Sequence, residues 1–242
     1  MLSRKTLALL LVAASFLSCD LLLGKPAPHG YACGDLSGSH CYSNGFVGDH
    51  LTGFSTKVTV AGTFQPGNGL ITNEFWLNNY SGNRGWIELG YKGVVGEVPH
   101  YFWAQMDPAD FAFTFTDIAV VPQAEVGTQV TFDVHQTGTD TFLLSIDGAV
   151  TRWSRSITLG LWPGTSGGTV TLGQELGGTD GGQASLALFA DNRVYDQAFV
   201  PHFASGSDFP GQKIDGPPYG GWLQVPDAGN AGGVFSTYCC AP

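Results

Sequence analysis

Along most of this chain apolar and polar residues alternate in short runs, and each run ends at a cluster of Gly, Pro, Asn or Asp. Alternation of this kind puts successive side chains on opposite faces of an extended strand, and no window sustains a helical i, i+3, i+4, i+7 stripe beyond about ten residues. The runs cover residues 57–64, 70–78, 85–92, 100–106, 111–120, 129–135, 141–147, 150–155, 157–162, 169–176, 184–190 and 193–200. About a dozen strands with turn signals at roughly 8–12-residue intervals predict an all-β fold, an antiparallel sandwich or jelly roll. The tail, with Pro217-Pro218-Tyr219-Gly220-Gly221-Trp222, reads as loop without a second core, so residues 33–242 form one expected domain.

Composition excludes the main competitors. Charged residues make up 12% of the 242 positions, about half the usual share, too few for the solvated faces of a helical bundle or coiled coil. A hydrophobic content of 43% suffices for a real core and excludes wholesale disorder. The net charge of −10 provides no basic stripe to neutralise phosphates, which argues against a nucleic-acid partner.

The first residues look like an export signal. Arg4 and Lys5 precede an apolar stretch over 7–17, too short to span a membrane, and Ser15-Phe16-Leu17-Ser18-Cys19 resembles the cleavage box of bacterial lipoproteins. Residues 1–18 are therefore read as a signal peptide, Cys19 as the lipidated residue, and 19–32 as a tether. The expected location is secreted or cell-surface, with the membrane met only through that anchor. Cys33, Cys41, Cys239 and Cys240 then remain, an even number suited to an oxidising compartment. A bond between the neighbours Cys239 and Cys240 would be strained, which favours the N-terminal pair crossing to the C-terminal pair. The six histidines are scattered, with no CxxC or HExxH spacing, so no metal or other cofactor is expected.

Glutamate is scarce: Glu74, Glu88, Glu97, Glu125 and Glu175 are the whole set. Three of them fall inside predicted strands, where Glu is depleted unless a face is solvated or a site requires it. Parity assigns their direction. Ile87, Leu89 and Tyr91 share an apolar face, leaving Trp86, Glu88 and Gly90 opposite; Val170 and Leu172 leave Thr171, Gly173 and Glu175 opposite; Ile71, Phe75 and Leu77 leave Thr72, Glu74 and Trp76 opposite. If those faces line one concave sheet, the glutamates and two tryptophans meet in a groove, with Gly90 and Gly173 removing bulk beside the acids. Two carboxyls sharing a groove cannot both ionise cheaply, which suits general acid–base chemistry.

The same residues resemble a known family. Ile87-Glu88-Leu89-Gly90-Tyr91 resembles the Ile-Glu-Ala-Gly-Trp motif that carries one catalytic glutamate in neprosin-type glutamic peptidases. Val170-Thr171-Leu172-Gly173-Gln174-Glu175-Leu176 resembles their Val-Glu-Trp-Gly-Gly-Glu-Ile, which carries the other, and Tyr101-Phe102-Trp103 resembles the Tyr-Trp pair on an intervening strand. The likeness spans residues 71–178, and the ending is similar to that of small secreted bacterial relatives. It implies a concanavalin-like sandwich, catalytic Glu88 and Glu175, and endopeptidase activity in acid on a protein or peptide substrate, with Trp76, Trp86, Glu74, Trp103 and Tyr101 in substrate binding. No oligomeric partner is expected.

Other chemistries fit parts of the pattern. A carboxylate pair among aromatics is also what glycosidases use, and a lectin-like sandwich would stack Trp76, Trp86, Trp103 and Tyr101 on sugar rings without catalysis. Gly164-Thr165-Ser166-Gly167-Gly168 resembles a serine-peptidase nucleophile loop, yet nothing upstream supplies the matching histidine context. Asp133 and His135 share a strand face, as a charge pair, a divalent-ion site or part of a solvated edge strand.

Overall fold

The computed structural model describes residues 40–62, 64–65, 69–79, 85–94, 96–107, 109–160, 168–177, 183–208, 211–214, 219–224 and 232–239. Strands dominate: β1 (His40–Leu51), β2 (Gly53–Thr59), β3 (Phe64–Gln65), β4 (Leu70–Asn79), β5 (Trp86–Val94), β6 (His100–Met106), β7 (Phe113–Val120), β8 (Gln129–Gly138), β9 (Thr141–Asp147), β10 (Arg152–Thr158), β11 (Gly168–Gly177), β12 (Gln183–Tyr195), β13 (Pro201–Phe203), β14 (Gly211–Ile214), β15 (Tyr219–Gln224) and β16 (Val234–Cys239). One sheet runs β14-β1-β11-β4-β5-β6-β7, and the other runs β10-β9-β8-β2-β12-β16-β15 with β3 and β13 also pairing β12. The two antiparallel sheets form a sandwich, the expected fold class.

Three departures from the sequence pattern have physical causes. Residues 184–190 and 193–200 were expected as two strands separated at Asp191-Asn192, whereas β12 continues through that dipeptide. Asp191 takes a positive φ of 51° and the register shifts there, so a turn-like pair is absorbed as a bulge. Buried Asn192 seals it, donating through Nδ2 to the carbonyls of Phe189 and Gly233. The runs at 150–155 and 157–162 are likewise joined, in β10. The tail, expected as loop, contributes β14 to one sheet and β15 and β16 to the other; β14 pairs the distant β1, β16 pairs β12, and β15 pairs β16.

Core residues come from both sheets in strict alternation: Phe75, Leu77, Ile87, Leu89 and Leu172 on one side, and Phe54, Phe132, Phe142, Phe189 and Phe235 on the other. Phe54 meets Phe75 edge-on with centroids 5.2 Å apart. Tyr101 and Trp103, expected beside the substrate, belong to this core. Tyr101 pairs with Tyr91 and Trp103 with Leu89 across β5–β6, so both rings point between the sheets, fully or almost fully buried. A residue directly opposite a core residue in a sheet shares its face.

Tyr101 ends on a buried carboxylate. Its hydroxyl donates to Glu125 at 2.6 Å, and Glu125 also accepts from the backbone N–H of Val150 (2.8 Å) and Thr151 (2.7 Å) and from the Thr151 hydroxyl (3.0 Å). A side chain at Gly148 would lie 2.8 Å from that carboxyl carbon, so glycine is needed there. Glu125 thus ties β6 of one sheet to the β9–β10 turn of the other. Burial alone would push its carboxyl up, but the bonds from Tyr101, Thr151 and Val150 outweigh it and hold Glu125 below the usual carboxylate range.

A depressed folded-state value means that this support is present above the unfolded value and is lost as pH falls through the folded one. Glu125→Gln turns one acceptor oxygen into a donor facing two of the four donors and is expected to cost about 2–4 kcal/mol at neutral pH. Denaturant unfolding of the two proteins as a function of pH checks this: the difference should shrink in strong acid, and a constant difference would exclude the ionised anchor.

Candidate functional site

The strands β11, β4 and β5 lie side by side, and their register fixes the positions of the three strand-borne glutamates. Trp76 stands opposite Glu88 on β5 and Thr171 on β11; Glu74 stands opposite Gly90 and Gly173; Thr72 stands opposite Lys92 and Glu175. All belong to the sheet face turned away from the core. Glu88, Glu74 and Glu175 therefore run diagonally across three adjacent strands. Diagonal neighbours in such a sheet are about 7–8 Å apart at Cα, and the two ends, separated by two strands and four residues, about 16 Å.

Parity thus brings Glu74, Glu88, Glu175, Trp76 and Trp86 to one face, as the sequence pattern indicates. It does not make Glu88 and Glu175 direct neighbours, because β4 lies between their strands and places Glu74 there. Both residues beside Glu74 are glycine for a steric reason. A Cβ on Gly90 would come within 2.5 Å of the Glu74 Cβ and 2.4 Å of the Asn73 carbonyl oxygen, and one on Gly173 within 2.1 Å of the Ser43 carbonyl oxygen. With no side chain at 90, Glu74 sinks fully below the surface at 0% exposure, while Glu88 and Glu175 each keep 8%.

Electrostatics follow from this burial. Burial raises Glu74 well above the ordinary range, and the neighbouring Glu88 carboxyl raises it further, against a lowering contribution from the Thr72 hydroxyl. Glu88 is also raised by burial, but it receives hydrogen bonds from Glu74 and from the Trp76 indole N–H, which lower it. The pair therefore retains a proton where an isolated carboxyl would have lost it, and Glu74 is the member that keeps it longest. On the other side of Glu74, the Glu175 backbone N–H donates to the Thr72 hydroxyl oxygen at 3.3 Å.

An aromatic lane continues the same face toward β7. Trp86 lies 5.9 Å from Phe113, and Phe102 stacks on Phe115 at 5.1 Å. The Lys92 ammonium sits 4.4 Å from the Phe115 ring centre and 2.9 Å from Asp117. Phe113 and Phe115 are 58% and 41% exposed, whereas the alternate residues Thr114 and Thr116 are half-buried. Sequence reasoning overlooks this lane because apolarity alone would turn both phenylalanines inward; at the sheet edge the pattern is reversed.

Other predicted positions fall elsewhere. Asp133 and His135 do contact each other, and the second Asp133 oxygen accepts from the Tyr195 hydroxyl at 2.6 Å, while the His135 and Tyr195 rings stack at 4.6 Å. They lie on the other sheet, on β8, which is flanked by β2 and β9 and is not an edge. Among the described residues no group of three or more His, Cys, Asp or Glu is arranged to hold a metal ion. Cys19, Cys33, Cys240, Tyr80 and residues 164–167 lie outside the described residues, and of Cys41, Cys239 and Tyr219 only the strand backbone is described.

No protein-family model and no curated protein sequence matches the chain. Solved structures do. The chain is similar to scytalido-glutamic peptidase bound to a transition-state-analogue inhibitor, with TM-score 0.53 and 11% identity over 82% of this chain and 98% of that one. It is also similar to SCP-B, a member of the eqolisin family of peptidases, in complex with the tripeptide Ala-Ile-His, with TM-score 0.51 and 11% identity over 84% of this chain and 98% of that one. The chain therefore has the β-sandwich fold of the glutamic peptidases.

The glycine beside Glu74 supplies a test of the geometry. Gly90→Ala drives a methyl into the Asn73 carbonyl and the Glu74 side chain, and an expected loss of at least 1–3 kcal/mol, the usual range for overpacking, is measurable by thermal unfolding. Full stability of this variant would exclude the close packing of β4 on β5.

Proposed function

We propose that this protein is a glutamic endopeptidase acting in acid, in which the side chains of Glu88 and Glu175 lean toward each other above Glu74, across the roughly 16 Å between their Cα atoms, and meet the scissile peptide bond from opposite sides. The observation that carries the reading is the carboxyl diagonal: two slightly exposed glutamates flank a buried third on one face of the glutamic-peptidase fold. The neprosin-type motifs around Glu88 and Glu175 support the same two residues.

The chemistry asks opposite roles of the two acids. Burial makes Glu88 hold its proton in acid, so it donates to the carbonyl oxygen while Glu175, as carboxylate, accepts a proton from the attacking water. The water oxygen bonds to the carbonyl carbon and the carbonyl electron pair moves onto the newly protonated oxygen. The tetrahedral species then collapses: the C–N bond breaks, Glu175 returns its proton to the departing amine, and Glu88 recovers a proton from the hydroxyl. Trp76, Trp86 and the Phe113–Phe115 lane flank this position and present apolar surface to substrate side chains. Activity requires protonated Glu88 and is lost as pH rises through its elevated midpoint.

Glu175→Gln and Glu88→Ala are each expected to lower kcat/KM for an unstructured peptide by about 10²–10⁴ with the circular dichroism unchanged, measured near pH 4. Glu88→Gln keeps a hydrogen-bond donor but no proton to transfer, so it is expected to lose activity as Glu88→Ala does. Undiminished cleavage by either of the first two variants refutes the assignment, and oligosaccharide binding without peptide cleavage would favour a lectin.

The leader and Cys19 fit an exported, lipid-anchored protein. Expression of Cys19→Ala is then expected to move the protein from the membrane fraction to the soluble one, and an unchanged distribution excludes the anchor.

A further inference from the structure

We infer that Glu74 is a positioning residue that keeps its own proton, donates it in a hydrogen bond to Glu88, and so sets the pH above which the groove stops working. The consequence for activity rests on the peptidase reading; the link between the two carboxyls does not. Glu74 cannot touch substrate, because it has no exposed surface. It acts through the group that does.

Three geometric facts carry this. Glu74 and Glu88 are diagonal neighbours on paired strands, close enough for their carboxyls to interact, and both Glu74 oxygens are buried with no donor hydrogen-bonded to them among the described residues. Glycine at 90 leaves the space into which Glu74 sinks. Of the two carboxyls only Glu88 reaches water, so a single negative charge resides there and the proton stays on Glu74.

The groups facing Glu74 leave that arrangement intact. Its own strand presents the Thr72 hydroxyl and the Trp76 indole, the latter directed to Glu88. From β11 come Thr171 and Glu175, and from β5 come Glu88 and Lys92. The Lys92 ammonium is turned away, onto Asp117 and the Phe115 ring. Among the described residues Glu74 therefore faces a carboxyl and no cation, and a carboxyl pair in that setting is bridged by one proton. The donated bond stabilises the Glu88 carboxylate. Removing the donor makes Glu88 hold its proton to higher pH, and the upper limit of activity should rise with it.

The experiment separates donation from mere packing. Glu74→Met fills the site without a donor, and Glu74→Gln keeps one. With only Glu74, Glu88, Glu97, Glu125 and Glu175 in the chain, carbon-13 labelling of the glutamate carboxyls of the full-length protein yields few signals, and Glu88→Gln assigns the relevant one. In Glu74→Met the Glu88 midpoint should rise by about one pH unit, and the upper limb of the kcat/KM profile on a peptide should move with it. Glu74→Gln should leave both near wild type. Equal Glu88 midpoints in wild type and Glu74→Met, or equal shifts in the Met and Gln variants, overturn the inference. If Glu74→Met does not fold, Glu74→Leu supplies the same comparison. If the midpoint moves as described but no form cleaves peptide, the peptidase reading falls and the hold of Glu74 on Glu88 stands.

Discussion

Two antiparallel sheets share one apolar core only if every strand turns alternate residues toward it, and that constraint decides where each carboxyl of this protein stands. Once Phe75, Leu77, Ile87, Leu89 and Leu172 are committed to the core, Glu74, Glu88 and Glu175 have nowhere to point but the opposite face. The same commitment removes Tyr101 and Trp103 from that face. The acidic face is thus a by-product of core packing, refined by a glycine at 90 that lets one acid sink between its neighbours.

The protein solves the burial of a carboxyl in two opposite ways. Glu125 is surrounded by donors from Tyr101, Val150 and Thr151, so its charge is stabilised and its proton is lost early. Glu74 is surrounded by glycine, another carboxyl and aromatic surface, so the charge is expelled and the proton retained. Residue type is identical and burial equally complete; the hydrogen-bond donors make the difference. The first arrangement holds the sheets together into the acid range, and the second provides the protonated groups that acid–base chemistry there requires.

Much of this was legible in the chain. The limits of β6 and β9 follow directly from period-two alternation, and the core sides of β4, β5 and β11 follow from the apolar sets flanking each glutamate. Legibility failed where local chemistry and tertiary demand conflict. Asp191-Asn192 looks like a turn and is a bulge, because β2 and β16 hold β12 on either side. Phe113 and Phe115 look like core residues and face outward, because β7 is the sheet edge and the threonines between them take the inner side.

The sequence by itself determined the all-β class, the strand-borne glutamates and the face each occupies, since these depend on a two-residue period that any extended chain carries. Strand order belonged to the tertiary structure alone. Nothing local indicates that β11 pairs with β4, across some ninety residues, and it is this pairing that puts Glu74 between Glu88 and Glu175. Non-local pairing is decided by which surfaces bury one another best, so the three acids became one site only when the sheets closed on their core.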